Sequence, residues 1–145
     1  MVPIRPWLYV GRFFETYDDD LLRRRGVGAL LQLADSVKHP GIPSLYLPVE
    51  DGVPLPADML RMGVEFVRLE KALGRKVLIA CVAGISRSSA FAIAALKEEE
   101  RLPLFDAFRQ VRAMHPDALP HPAIWQSLCD YYAEEAPYAD LLVED

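Results

Sequence analysis

Two side chains of this sequence are spaced for work on a phosphate group. They are Cys81 and Arg87, the ends of the stretch Cys81-Val82-Ala83-Gly84-Ile85-Ser86-Arg87. A cysteine attacks as its thiolate, and thiols ionise more readily beside a guanidinium and at a helix N-terminus. A five-residue loop can turn its backbone N–H groups inward as a nest for a tetrahedral anion, so the amides of Val82, Ala83, Gly84, Ile85, Ser86 and Arg87 are candidate substrate-binding groups. Gly84 supplies the backbone freedom that such a turn needs. Arg87 adds a planar fork that grips two phosphate oxygens at once. Ser88 follows and can donate a hydrogen bond to the sulfur, which helps when the sulfur later leaves as a thiolate.

Most lone cysteines are small core residues. What sets Cys81 apart is the pattern Cys-x-x-Gly-x-x-Arg-Ser, with an apolar strand before it and a helix after it. Cys129 lacks that context and is expected on the apolar face of a helix, inside the core.

The nucleophile loop must hang between two elements. Lys76 to Ala80 reads as a compact buried strand. Ser88 to Leu102 reads as a helix whose first half, residues 90–96, is apolar all round and therefore central. Ligands of open α/β sheets bind where strand ends meet helix N-termini. Further strands are expected at Trp7 to Val10, Val27 to Leu33 and Ser44 to Val49. Helices are expected at Tyr17 to Arg25, Ala57 to Leu73, Leu104 to Met114 and Pro122 to about Glu135. Residues 34–43 have loop composition. The fold class is α/β, a small central sheet flanked by helices, in one domain over residues 1–145.

With 145 residues the chain is long enough to bury a core. A net charge of −5 speaks against nucleic acid and anionic membrane as partners, so any anion site is local. The first residues lack the form of a signal peptide, and no apolar run is long enough to span a membrane. Two cysteines make no disulfide framework, which fits a reducing cytoplasm. A cytoplasmic monomer is expected. The three histidines, His39, His115 and His121, show no metal-ligand spacing and are expected as surface or loop residues, with no metal or other cofactor.

These residues resemble the cysteine-based protein tyrosine phosphatase superfamily, whose loop reads His-Cys-x5-Arg-Ser/Thr. The segment CVAGISRS is most similar to its dual-specificity phosphatases, which commonly carry Cys-x-Ala-Gly-x-Ser-Arg-Ser. Leu8-Tyr9-Val10-Gly11, Tyr46-Leu47-Pro48-Val49 and the stretch Ala107 to Pro116 are similar to other parts of that family. The resemblance implies a protein tyrosine phosphatase-like fold and a general acid on a loop about 30 residues before the cysteine. Asp51 stands in that register, with Glu50 as the rival and an Asp-Gly turn as the purely structural reading. One departure is plain. The family's histidine before the cysteine, which orders the loop and helps to ionise the thiol, is Ala80 here, so the rate optimum is expected at higher pH than is usual for the family.

Residues and resemblance together imply hydrolysis of phosphotyrosine and phosphoserine/threonine in proteins or peptides, through a cysteinyl-phosphate. The catalytic set is Cys81, Arg87, Asp51 and Ser88. The loop holds no basic residue besides Arg87, which argues against polyanionic substrates such as inositol lipids. Three alternatives stand beside this reading: a phosphate-binding pseudophosphatase module, a phosphatase of non-protein substrates, and a rhodanese-like sulfur carrier. The last would need neither Asp51 nor the Arg-Ser pair.

Overall fold

The computed structural model describes residues 1–143. Five strands form one sheet in the order β1-β2-β5-β3-β4, namely β1 (Val2–Arg5), β2 (Leu8–Arg12), β3 (Val27–Gln32), β4 (Ser44–Tyr46) and β5 (Lys76–Cys81). Only the β1–β2 pair is antiparallel. The helices are α1 (Asp19–Arg24), α2 (Ala57–Ala72), α3 (Arg87–Glu100), α4 (Leu104–Met114), α5 (Pro122–Tyr132) and α6 (Tyr138–Leu141), with a 3-10 turn at Phe13–Tyr17.

β5 is the middle strand and is buried from Val77 to Cys81. A parallel strand covered on both faces reads as a continuous apolar run, which is what VLIAC is. Its alternation divides the core. Val77, Ile79 and Cys81 join the large cluster with the buried residues of α2 to α5, while Leu78 and Ala80 face the opposite side, packed with Tyr9, Leu22, Val27 and Leu30. Register aligns Arg12 of β2 with Cys81, and Gly11 and Gln32 with Ala80.

α3 runs through the core. Every residue from Ser88 to Leu96 is buried, as an all-apolar half-helix requires. α2 approaches it at Gly63, where a Cβ would lie 2.3 Å from a ring carbon of Phe91, so any larger residue would push the two helices apart. α4 turns Leu104, Ala107, Phe108 and Val111 inward at helical spacing, and Phe108 meets Trp125 of α5 edge to face at 5.8 Å.

Several elements differ from the expectations. β1 was not anticipated, because Pro3 lacks an amide N–H; at a sheet edge that loss is tolerated. The helix expected from Tyr17 begins two residues later, after the 3-10 turn, where Asp18 caps it by accepting the Leu21 amide at 3.0 Å. β4 is three residues long instead of six. Leu47 and Val49 still donate to Gln32 and Leu33, but Pro48 between them has no N–H to extend the ladder. α5 stops at Tyr132 with Ala133 in the left-handed region, and α6 follows as a short unanticipated turn.

Candidate active site

Cys81 is the last residue of β5 and Arg87 the first of α3, so residues 82–86 form the turn between strand and helix. The Cys81 sulfur is buried and accepts the Ser88 amide N–H at 3.4 Å, and it lies 3.1 Å from the Ser88 hydroxyl. Both groups of Ser88 therefore address the sulfur from the first turn of α3, where unpaired amides and the helix dipole favour negative charge. Gly84 has φ +69°, and a Cβ there would sit 3.0 Å from the Gly11 carbonyl oxygen. Conformation and space both demand glycine at this point of the loop.

Arg87 is anchored before any ligand arrives. Its Nη1 donates to the Val49 carbonyl at 2.8 Å, leaving other N–H groups of the fork unspent. Val49 immediately precedes Glu50 and Asp51. Asp51 is exposed, and its Oδ1 accepts a 2.8 Å hydrogen bond from the Ser86 hydroxyl. The segment carrying Asp51 thus touches the Cys81–Arg87 loop twice, through Val49 to Arg87 and through Asp51 to Ser86. Among the described residues Glu50 shows no such link. Downstream, the Leu55 amide is held by Ser127 of α5 at 2.9 Å, which fixes the far side of the proline-bearing segment.

The link between α4 and α5 braces the loop from outside at three successive residues. His115 Nε2 donates to the Gly84 carbonyl at 2.7 Å, the Leu119 amide to the Ile85 carbonyl at 3.1 Å, and the His121 amide to the Ser86 hydroxyl at 2.9 Å. A carbonyl oxygen only accepts, so Nε2 of His115 carries a proton. The histidines do lie on loops, but two of the three support the turn between β5 and α3. Sequence reasoning missed that role; the available signal was that both flank prolines in one short linker. His39 bonds elsewhere, to Thr16 and Asp19.

Ala80 is fully enclosed on the opposite face of the sheet from Cys81. Nearby on that face the Glu15 carboxylate accepts the Arg12 amide at 2.8 Å and would lie 2.8 Å from a Cβ on Gly11. Arg12 itself was not anticipated at the site. Its stem borders Gly84, and its guanidinium stacks over the Phe14 ring at 4.5 Å. The loop's outward side chains, Val82 and Ile85, are apolar and exposed. Among the described residues no three His, Cys, Asp or Glu side chains gather as a metal site. No helix is long and apolar enough to cross a membrane. An open groove of about 920 Å³ runs along α4 past Leu102, Phe105 and Asp140, and it contains no residue of the nucleophile loop.

The chain is 33% identical over 135 residues to human dual specificity protein phosphatase 16, covering 88% of this chain and 20% of that protein. Rat dual specificity protein phosphatase 12 is 31% identical over 126 residues, covering 81% of this chain and 37% of that protein. The chain therefore spans well under half the length of these relatives. The crystal structure of human DUSP28 superposes with a TM-score of 0.84 at 26% identity, covering 92% of this chain and 96% of that one. The family model for the dual specificity phosphatase catalytic domain matches residues 8–134, from β2 to just beyond α5, and the chain belongs to that family.

Proposed function

We propose that the protein hydrolyses phosphate monoesters on tyrosine and on serine or threonine side chains of proteins, through a cysteinyl-phosphate. The observation that carries this reading is the convergence of four groups on one loop. Cys81 is flanked by the amide and hydroxyl of Ser88, Arg87 is held at the loop's end, and Asp51 is tied to it through Ser86.

In the first step the phosphate docks on the loop amides and the Arg87 fork. The Cys81 thiolate forms an S–P bond as the P–O bond to the side chain breaks, and Asp51 gives its proton to the departing oxygen. In the second step water forms a new P–O bond while Asp51 takes its proton. The S–P bond breaks, inorganic phosphate leaves, and the Ser88 hydroxyl donates to the sulfur that departs as thiolate. The equatorial oxygens carry the developing charge throughout, and the amides and Arg87 stabilise it. The loop's own outward side chains, Val82 and Ile85, are apolar, which suits a peptide better than a polyanionic headgroup.

The test is direct. During turnover of a phosphotyrosine peptide in the presence of EDTA, rapid acid quench and mass spectrometry should find a phosphate adduct on the peptide containing Cys81. Turnover that chelation stops, or an adduct on another residue, overturns the mechanism. A phosphothreonine peptide left intact would restrict the substrate to tyrosine.

A further inference from the structure

We propose that the Ser86 hydroxyl positions the Asp51 carboxyl, fixing which of its oxygens carries the transferable proton. The inference rests on the reading of Asp51 as general acid and adds a residue to it. Ser86 precedes the first residue of α3, a place where serine ordinarily turns its hydroxyl onto the helix's own amides. Here its backbone is helical, φ −95° and ψ −69°, and its side chain makes no capping bond. The first amides of α3 are thereby left to the sulfur and to an incoming anion, and the hydroxyl is free for another task.

What that task is follows from donor and acceptor counting. The His121 N–H can only donate, and it donates to Ser86 Oγ at 2.9 Å. The hydroxyl's single hydrogen is then directed to Asp51 Oδ1 at 2.8 Å. Oδ1 accepts this bond whether Asp51 is carboxylate or acid, so in the acid form the proton sits on Oδ2. One oxygen is a tether and the other is the transfer point, in the first step and again when Asp51 receives the proton from water. Asp51 needs such a tether because it is exposed on a turn, followed by Gly52 at φ +81°. The His121 ring borders that turn. Its Nδ1 accepts the Ala123 amide at 3.1 Å, and its Nε2 would lie 3.7 Å from a Cβ on Gly52.

The experiment compares Ser86→Ala and Ser86→Thr in the wild-type and Asp51→Asn backgrounds, using phenyl phosphate, p-nitrophenyl phosphate and inhibition by vanadate. Ser86→Ala should lower kcat on phenyl phosphate about tenfold, and p-nitrophenyl phosphate less, because only the poorer leaving group depends fully on the proton. Vanadate inhibition should change less than about twofold, since the amide nest is intact, and Ser86→Thr should restore most of the loss. In the Asp51→Asn background Ser86→Ala should add nothing, because both changes remove one function. Equal losses on both esters with weakened vanadate inhibition would mean that the hydroxyl merely builds the loop. No loss, or a full further loss in the Asp51→Asn background, would also overturn the proposal. A different failure, Asp51→Asn leaving phenyl phosphate turnover intact, would remove the acid assignment itself.

Discussion

Cys81 and Cys129 are both free and both buried, 2% and 6% exposed, yet their surroundings are opposite. Cys81 ends a strand and meets the N-terminus of a helix, where it accepts an amide N–H and lies beside a hydroxyl. Cys129 sits inside α5, and its sulfur faces the Ala136 carbonyl oxygen at 3.8 Å. A neighbouring N–H suits a sulfur that carries negative charge, whereas a carbonyl suits one that keeps its proton. Burial pushes the Cys129 thiol up, and the acidic Asp130 and Glu134 nearby act in the same direction. Burial alone therefore does not decide whether a cysteine is a nucleophile; the backbone groups that surround it do.

The largest test of that contrast removes each sulfur in turn. Cys81→Ser should abolish hydrolysis while phosphate and vanadate still bind, because the amide nest and Arg87 persist. Residual turnover in a clean preparation, or loss of vanadate binding measured by calorimetry, would break the comparison at its first term. Next in size is Arg87→Lys, which keeps the charge but loses the planar fork. It should cost at least ~2 kcal/mol in kcat/KM, well over tenfold. A lysine enzyme within threefold of wild type would show that the loop needs only a cation.

Asp51→Asn sharpens the picture without touching the sulfur. Turnover of phenyl phosphate should fall by about two orders of magnitude, and that of activated aryl esters should fall less. The alkaline limb of the pH–rate profile should flatten, since that limb reports loss of the acid's proton. Glu50→Gln showing this pattern in place of Asp51→Asn would move the acid by one position.

How much of this was legible in the sequence differs between the two ends of the loop. The apolar runs at 27–33 and 77–80 read as buried strands from their length and flanking glycines, and the all-apolar stretch at 90–96 as a buried helix, so the frame around Cys81 was readable from local pattern. Gly84 was readable too, because a turn of that length calls for φ above zero. The supports of the loop were not. His115, His121 and the Ser86 hydroxyl act across 31 to 35 residues of sequence, and no spacing rule links a histidine in one linker to a carbonyl in another. Ala80 shows the same limit. As a sequence position it stands next to Cys81, where the resemblance leads us to expect a histidine. In the fold it belongs to the other face of the sheet, in a small cluster with Tyr9, Leu22 and Leu30. Pro3 concealed an edge strand, and Pro48 ended one that periodicity alone would have continued.

The smallest effect is expected at Cys129, and it completes the contrast. Cys129→Ala should leave kcat/KM within about twofold of wild type, because Cys129 belongs to α5 and makes none of the loop's contacts. It should lower unfolding stability by on the order of 1 kcal/mol, the loss of a small buried group whose neighbours relax only in part. Alkylation separates the two thiols without mutation. At neutral pH iodoacetamide should modify Cys81 in the folded protein and spare Cys129. A thiol raised by burial presents little thiolate until the pH passes its shifted midpoint, so Cys129 should react appreciably only in alkaline solution or after unfolding. Vanadate should protect Cys81 and leave the labelling of Cys129 unchanged. Peptide mapping that found both cysteines labelled at one rate across pH would mean that the loop confers no special reactivity on Cys81, and the assignment of Cys81 as nucleophile would fall with it.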